Sequence, residues 1–288
     1  MEQPSNLKGR VCLITGANAG IGKATAFGLA QQGAEVIMVC RNQQRGLAAL
    51  EEIKNRSGQE SLHLFVCDLS SQATIREFAQ AFSSQFKKLH VLINNAAVIP
   101  LTRSLTEDGI EAQFAVNHLA YFLLCNLLFG TLRAGAPSRV INVSSAAHFG
   151  VTLDFDDLMS EENYDSTDVY SKTKLANVLF TYELAQRLTG TNITANCLSP
   201  GVVATDLLND YMKIPRWQRT LHNTLGVSPE RGAETPLYLA ASPQVEGVNG
   251  RYFENHQAAR SSAFSYNRTA ARRLWKISAQ LTGLQKTI

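Results

Sequence analysis

The sequence predicts an α/β fold, in which one doubly wound parallel sheet carries helices on both faces. Short β-branched and apolar runs alternate along the chain with segments of helical periodicity. No repeat, low-complexity tract or Pro/Ser-rich linker divides the 288 residues into separate units. We therefore expect residues 1–288 to form a single domain.

Six of the apolar runs predict strands that are buried on both faces, at residues 11–14, 36–39, 62–66, 91–93, 140–143 and 193–197. The helix between the third and fourth strands is predicted by apolar residues at helical spacing, namely Ile75, Phe78, Ala79, Phe82 and Phe86. Gly33 and Gly58 stand where the two preceding helices should end. This β-α-β-α order implies right-handed crossovers between parallel strands.

Charge and hydropathy argue against nucleic-acid binding and against a membrane-spanning segment. The 27 basic and 24 acidic residues leave a net charge of +3, which is too small to hold a polyanion, so nucleic-acid binding is disfavoured. The longest apolar run, residues 119–129, is shorter than the roughly 18 residues that cross a bilayer. Polar residues 1–10 precede the first strand, so we expect neither a targeting peptide nor a membrane anchor there.

Five cysteines are spread through the chain without a CxxC pair, at Cys12, Cys40, Cys67, Cys125 and Cys197. This spacing is typical neither of a zinc site nor of a disulfide framework. We interpret these residues as buried thiols in a reducing compartment, and we expect a cytoplasmic protein without a bound metal.

A glycine-rich turn follows the first predicted strand and leads into a helical pattern. Its candidate binding residues are Gly16, Asn18, Gly20, Ile21 and Gly22. Glycines let such a turn tighten and let backbone NH groups approach a pyrophosphate at the helix N-terminus. A phosphoryl-transfer P-loop is excluded, since Ala17 and Ala24 stand where it needs Gly and Ser or Thr. The turn therefore predicts dinucleotide binding on a Rossmann-type sheet.

The second predicted strand ends in Cys40-Arg41-Asn42, where a dinucleotide site commonly places an acidic residue for the adenosine ribose. A guanidinium group suits a ribose phosphate better than a diol. Arg41 therefore favours NADP(H) over NAD(H) as the cofactor, and the alternative is a solvated surface arginine.

Tyr170 and Lys174 are four residues apart on a predicted amphipathic helix, so their side chains share one face. An ammonium group there would favour the phenolate and bring Tyr170 toward service as an acid or base near neutral pH. Lys172 would point away from that face. The pair is weak as an isolated signal, because about 0.3 such pairs are expected by chance.

The order of the motifs carries more information than any one of them. Along the chain they are the glycine turn, Asp68, Asn94-Asn95-Ala96-Ala97, Asn117, Ser144-Ser145, Tyr170 with Lys174, and Pro200-Gly201. In this respect the chain resembles the short-chain dehydrogenase/reductase family over essentially its whole length. Residues 40–42, 116–119 and 271–275 look like the retinol dehydrogenase branch of that family.

The resemblance implies a catalytic role for four residues. Tyr170 would donate or accept the proton, and Lys174 would lower its pKa and bind the nicotinamide ribose. Ser145 would hydrogen-bond the substrate oxygen, and Asn117 would hold a water in the proton relay. Hydroxyl donors at these positions suit a reaction that builds negative charge on a carbonyl oxygen.

The resemblance also implies where the cofactor lies. Asp68, with Leu69 beside it, would meet the adenine, and Asn95 and Ala96 the adenosine-side ribose. The nicotinamide end would be met by Pro200, Gly201 and Thr205. The cofactor half would then span about residues 1–145 and the catalytic and substrate half about 146–288.

Several assignments stay open in the sequence. Ser144 is the rival of Ser145 for the catalytic hydroxyl, and His148 could line the substrate site or hold a loop. Residues 146–169 and 205–228 break the strand-helix rhythm and are candidate walls and lid of the substrate site. Apolar residues of the second stretch could cover a substrate or pack as an ordinary helix: Tyr211, Met212, Ile214 and Trp217. The basic amphipathic segment 268–284 could rest weakly on anionic lipid, although packing on its own domain is favoured.

Taken together, the sequence predicts an NADP(H)-dependent oxidoreductase that reduces a lipophilic aldehyde or ketone or oxidises the matching alcohol. The substrate would resemble retinaldehyde or have a chain of medium length. The alternatives are a catalytically quiet NADP(H)-binding redox sensor or scaffold, and a reductase of polar substrates with the same fold. Family members often pair through the helices that contain residues 119–132 and 170–188, so a monomer and a homodimer are both open.

Overall fold

One mixed sheet runs through the protein in the computed structural model, which describes residues 6–201, 203 and 227–288. Its strand order is β3-β2-β1-β4-β5-β6-β7-β8, and neighbouring strands are parallel except β7 and β8. The strands are β1 Val11–Thr15, β2 Glu35–Cys40, β3 Leu62–Val66, β4 Val91–Asn94, β5 Ser138–Val143, β6 Ile193–Leu198, β7 Tyr252–Glu254 and β8 Gln257–Ala259.

Helices cover both faces of the sheet, as the sequence predicts. Val11 and Leu13 of β1 belong to one apolar core, whereas Cys12 and Ile14 belong to the core on the opposite face. The helices are α1 Gly20–Gln31, α2 Gln43–Ser57, α3 Gln72–Gln85, α4 Ala112–Phe114, α5 Ala120–Leu127, α6 Phe129–Ala134, α7 Ser166–Arg187, α8 Pro229–Ala241 and α9 Arg268–Leu281, and Ala115–Leu119 between α4 and α5 is a π-helical turn. The strand order reverses between β1 and β4, the point at which such sheets bind ligands.

All six predicted strands are confirmed, with one correction to their burial. β3 is not buried on both faces, because it lies at the edge of the sheet, where Val66 is 51% exposed. β7 and β8 are absent from the prediction, since three residues are too few to show a period. Gly33 and Gly58 end the first two helices with positive φ angles of 81° and 69°.

Close contact between α1 and α8 fixes the position of the first helix. A Cβ atom built on Gly28 of α1 would lie 2.4 Å from Cδ1 of Leu237 in α8. A Cβ atom on Gly232 of α8 would lie 2.6 Å from Cγ2 of Val203 and 3.1 Å from Cγ1 of Ile21. The two helices approach this closely because each presents a glycine to the other, and their approach holds the N-terminal turn of α1 beside the sheet.

The C-terminal helix packs on its own domain, the alternative that the sequence favours. The Trp275 ring lies 4.9 Å from that of Phe122 in α5 and 5.7 Å from that of Phe180 in α7. The guanidinium group of Arg187 lies 4.2 Å above the same indole. On the outer side of α9, Arg273 forms an ion pair with Asp156. Among the residues described, no helix combines the length and the apolar character that a bilayer crossing requires.

We predict that Trp275→Ala lowers the free energy of unfolding by about 3 to 5 kcal/mol, because it leaves a cavity between α5, α7 and α9. Urea denaturation measures this loss. Lys276→Ala, an exposed neighbour on the same helix, is the matched control and should change stability by less than about 0.5 kcal/mol. A loss below about 1 kcal/mol for Trp275→Ala would mean that α9 contributes little to the fold.

Candidate active site

The glycine turn lies at the carboxyl end of β1, between Thr15 and the start of α1 at Gly20. Gly16 and Gly20 have φ angles of +69° and +51°, which side chains other than glycine rarely adopt. A Cβ atom on Gly22 would lie 2.2 Å from the carbonyl oxygen of Gly16. The turn therefore closes only because position 22 has no side chain.

Asn95 holds the turn against the end of β4. Its Nδ2 donates to the carbonyl of Thr15 at 2.8 Å, and its backbone NH donates to the Thr15 hydroxyl at 2.9 Å. The backbone NH of Ala96 donates to the same hydroxyl at 3.0 Å. Asn95 and Ala96 thus lie beside the predicted cofactor turn, and in this structure their polar groups position it.

The N-terminus of α1 is open to an anion. Its N-cap residue, Ala19, has no side chain that could accept from the first NH groups, and no acidic residue lies in the first turn. Asn18 is half-buried in the turn, and Ile21 packs toward Val203 and α8. Unpaired NH groups and the positive end of the helix dipole together favour a phosphate at this place.

Arg41 is exposed directly after β2. Within the described part of the chain its guanidinium group makes no ion pair or hydrogen bond, whereas Asn42 beside it caps α2 by accepting from the NH of Arg45 at 2.9 Å. Asp68 follows β3 and accepts from both the backbone NH and the hydroxyl of Ser70. Its neighbour Leu69 is buried in the apolar core.

Tyr170 and Lys174 lie in the first turns of α7, which begins after Asp165 caps its NH groups. Both side chains are buried, and Nζ of Lys174 lies 5.4 Å from the centre of the Tyr170 ring. Nζ donates to the carbonyl of Val143, the last residue of β5, at 3.0 Å. Lys172 lies away from this face of the helix, as predicted, and forms a partly exposed ion pair with Asp168.

Burial lowers the pKa of Lys174 from its ordinary value of 10.5 to about 7. The cause is desolvation, because the ammonium group loses water and gains no carboxylate. Near neutral pH its positive charge is therefore only partly present. A partner that accepts hydrogen bonds from Nζ would raise this pKa and strengthen its effect on Tyr170.

The structure distinguishes the two adjacent serines. Ser144 is buried, and its hydroxyl donates to the main-chain carbonyl of Lys174 at 2.8 Å, so it ties β5 to α7. Ser145 is partly exposed, and its Oγ accepts from the NH of Ala147 at 3.2 Å. An acceptor role leaves the Ser145 hydroxyl proton available to a substrate oxygen.

His148 is buried and holds a loop. Its Nε2 accepts from the backbone NH of Ser262 at 3.0 Å, so Nδ1 carries the proton and donates to the carbonyl of Ser145 at 2.7 Å. Desolvation lowers the pKa of this imidazole. Of the two interpretations open in the sequence, the structure favours a positioning role for His148.

Asn117 lies in the π-helical turn, a distortion that is common at functional sites. Its Oδ1 accepts from the NH of Val98 at 2.8 Å, while its Nδ2 donates to the Val98 carbonyl and to the Thr173 hydroxyl. That hydroxyl donates to the carbonyl of Tyr170 at 2.7 Å. The main-chain carbonyl of Asn117 accepts from Nδ2 of Asn177 at 2.8 Å.

The last predicted site residues follow β6. Pro200 and the exposed Gly201, with a φ angle of +81°, begin the segment at the carboxyl end of the strand. Ser199 before them accepts from the backbone NH groups of Ala146 and Gly201, which joins the ends of β5 and β6. Outside the described residues lie Thr205 and the predicted lid residues Tyr211, Met212, Ile214 and Trp217.

Two residues of this site escaped the sequence analysis. The Tyr121 hydroxyl donates to the carbonyl of Ala96 at 2.9 Å, and its ring lies 5.9 Å from Nζ of Lys174. Asn177 binds the backbone of Asn117, as described above. Helical spacing could have revealed both, because Tyr121 follows Asn117 by four residues and Asn177 follows Lys174 by three.

Comparisons with known proteins identify relatives of this chain. The sequence model of the short chain dehydrogenase family matches residues 10–214. The chain is similar to retinol dehydrogenase 14 of Homo sapiens, at 42% identity over 300 residues that cover 98% of this chain and 89% of that protein. It is similar to retinol dehydrogenase 11 of Homo sapiens, at 42% identity over 278 residues that cover 96% and 87%. A solved structure from Mycobacterium paratuberculosis has a TM-score of 0.80 at 32% identity and covers 98% of this chain and 96% of its own.

We predict that Lys174→Met stabilises the cofactor-free protein more at pH 6 than at pH 10. The folded pKa of about 7 lies below the ordinary value of 10.5, so the unfolded chain binds more protons between these values. Raising the pH through this window therefore stabilises the wild type but not the variant. The melting temperature measures the difference, which should shrink by at least about 3 °C from pH 6 to pH 10.

Lys172→Met is the matched control, because Lys172 lies on the same helix and is partly exposed. It should show no comparable change with pH. An equal stabilisation by Lys174→Met at both pH values would mean that the amine is not desolvated as the structure indicates.

Proposed function

Because the chain belongs to the short chain dehydrogenase family, whose members are oxidoreductases on alcohols and carbonyls, we propose that it uses NADP(H) to reduce a lipophilic aldehyde or ketone, or to oxidise the matching alcohol. The observation that carries this proposal is the buried pair of Tyr170 and Lys174 in the first turns of α7. Nζ of Lys174 donates to the carbonyl of Val143, two residues before Ser145, at the carboxyl edge of the sheet, where doubly wound folds bind their ligands.

The cofactor assignment fits the residues that are present. The turn at 16–22 is narrow enough for backbone NH groups to reach a pyrophosphate, and the open N-terminus of α1 faces the same place. Arg41 lies where the adenosine ribose of a dinucleotide would end, and a guanidinium group there suits a 2′-phosphate. Asp68, Asn95 and Gly201 follow β3, β4 and β6, so all three lie at the carboxyl edge of the parallel strands.

The nicotinamide cofactor, when bound, supplies the hydride to the carbonyl carbon or accepts it from the alcohol. The Tyr170 hydroxyl donates its proton to the substrate oxygen in reduction and recovers it in oxidation. The Ser145 hydroxyl donates a hydrogen bond to the same oxygen, which stabilises its developing negative charge. The ammonium form of Lys174 favours the Tyr170 phenolate, and hydrogen-bond acceptors on a bound ribose would favour that ammonium form.

Asn117 has a narrower role than the resemblance alone implies. Both amide hydrogens of its side chain are used by Val98 and Thr173, so a relay water would bind at its main-chain carbonyl beside Asn177. We assign the side chain to positioning, because it joins the segment after β4 to the helix that carries Tyr170.

The substrate class rests on the relatives and on the sequence. Both retinol dehydrogenases named above share 42% of the matched residues over nearly all of this chain, which favours a lipophilic carbonyl or alcohol. The apolar residues of 205–228 agree with that class.

Following NADPH absorbance with medium-chain aldehydes, retinaldehyde, steroid ketones and sugars tests the proposal. Turnover of sugars alone would favour a reductase of polar substrates, and no turnover at all would favour a quiet cofactor-binding protein.

We further infer that the two halves of the chain act as one domain, because a single sheet takes strands from both. A cytoplasmic location is supported by five free, buried cysteines.

A monomer is favoured over the homodimer, since α9 covers the faces of α5 and α7 through which family members often pair. Contact of the basic side of α9 with a membrane would be weak, because the helix buries its apolar face, with Trp275, against α5 and α7.

We predict that Arg41→Asp weakens NADPH binding by at least about tenfold and changes NADH binding much less, because a phosphate partner becomes a like charge. Fluorescence titration of both cofactors measures the two dissociation constants. Arg133→Asp, at another exposed arginine, is the control. Equal affinity of the wild type for NADH and NADPH would refute the assignment of NADP(H).

We predict that Tyr170→Phe keeps the affinity for NADPH and lowers kcat by about 100-fold or more, because the hydroxyl that protonates the substrate oxygen is gone. Steady-state kinetics and cofactor titration measure these two effects. Tyr238→Phe removes an exposed hydroxyl that bonds Gln244 in the wild type, and it should leave kcat unchanged. Retained turnover in Tyr170→Phe would remove this residue from the mechanism.

A further inference from the structure

A cavity of about 480 Å³ lies outside the candidate active site, at the other end of α7. Its walls come from the last turns of α7, the loop before β7 and the first turns of α9. Tyr182, one of its lining residues, follows Tyr170 by twelve positions, which is about 18 Å along the helix. The volume falls in the range of about 300 to 1,000 Å³ that small-molecule sites occupy.

The charge of the cavity is strongly positive. Arg251, Arg268 and Arg272 line it, and none of their guanidinium groups forms an ion pair or a hydrogen bond with a residue that the structure describes. Glu183 is the one carboxylate among the described lining residues, and Nε of Arg187 already binds it at 2.8 Å. Three uncompensated cations therefore face one space.

The start of α9 adds to this positive field. Arg268 is the first residue of the helix and Arg272 lies one turn later, while the first turn contains no acidic residue. Cations at a helix N-terminus are repelled by the helix dipole. An anion bound between the two arginines would remove this repulsion.

A stacked pair of tyrosines lines the cavity. The rings of Tyr182 and Tyr266 stack with their centres 5.5 Å apart. The Tyr182 hydroxyl bonds that of Ser261 at 2.6 Å, and the backbone NH of Ser261 donates to the Tyr266 hydroxyl at 3.2 Å. Both rings are thereby fixed, and Tyr266 remains 53% exposed, so its face is open to a planar ligand.

We propose that this cavity binds a small organic phosphate with a planar ring, of about the size of a mononucleotide, at a site separate from that of the cofactor. Guanidinium groups match the geometry and charge of a phosphate. The exposed face of Tyr266 provides the stacking surface for the ring. The active site at the other end of α7 takes no part in this binding.

Calorimetric titration of uridine monophosphate into the NADPH-saturated protein tests the proposal, because saturation blocks the cofactor site. The wild type should bind, and the double variant Arg268→Ala with Arg272→Ala should bind at least about tenfold more weakly. Both arginines are exposed, and their removal from a helix N-terminus should not lower the melting temperature. Arg251→Ala is a second, independent variant, and Arg133→Ala is the matched control that should bind as the wild type does.

Uridine and inorganic phosphate separate the contributions of the ring and of the charge, and each should bind more weakly than uridine monophosphate. No binding to the wild type at about 10 mM nucleotide, or equal binding by the double variant, overturns the proposal. If the wild type binds phosphatidylserine vesicles but not the nucleotide, and the double variant loses the vesicles, the proposal is overturned in favour of a lipid surface.

Discussion

The candidate active site depends on one primary amine that is buried beside the end of β5. Lys174 is 1% exposed, and its Nζ donates a hydrogen bond to the carbonyl of Val143 in place of one to water. A buried amine costs free energy unless neighbouring groups bond it, so α7 must lie close to the end of β5. Two further contacts hold α7 near β5: the Ser144 hydroxyl bonds the Lys174 carbonyl, and the Tyr121 ring lies near the Lys174 amine. Tyr170 and Ser145 are positioned as a consequence.

The cofactor end is organised in the opposite way, by the absence of side chains. The turn closes because Gly22 lies against the backbone of Gly16, and α1 reaches α8 because Gly28 leaves room for Leu237. Asn95 and Thr15 then lock this bare backbone to β4. Backbone NH groups carry no protonation equilibrium, so an anion bound there would be held in the same way across the physiological pH range. Lys174, whose pKa burial lowers to about 7, does titrate within this range.

The sequence predicts those parts of the fold and site that depend on local chemistry. Five of the six strands are buried as their apolar residues indicate, and the glycine turn follows from the steric freedom that each position needs. The exposure of β3 depends on its place at the sheet edge, which no local pattern contains. The same holds for β7 and β8, which are defined by their partners.

The resemblance favours Ser145 over Ser144, but the sequence alone does not show how either hydroxyl is bonded. The structure adds that the Ser144 hydroxyl bonds the Lys174 carbonyl inside the protein, which agrees with the choice of Ser145. The cavity at the end of α7 and its three arginines also depend on the tertiary structure. Arg251 and Arg268 are seventeen positions apart, and no spacing rule places them in one cavity.

Residues near the C-terminus are hydrogen-bonded, through two histidines, to residues of the candidate active site. The Ser278 hydroxyl of α9 donates to Nε2 of His118, whose Nδ1 donates to Asn177, and Asn177 in turn holds the backbone of Asn117. A second path leads from the NH of Ser262 through His148 to the carbonyl of Ser145.

Burial lowers the pKa of His118 to about 4, and it also lowers that of His148, so both imidazoles are neutral at physiological pH. A neutral imidazole donates from one nitrogen and accepts at the other, as each of these hydrogen-bond chains requires. The two histidines therefore maintain geometry through this range instead of responding to pH. His118 links α9 to Asn177, and His148 links the segment before α9 to Ser145, so the C-terminal region contributes to the position of these residues.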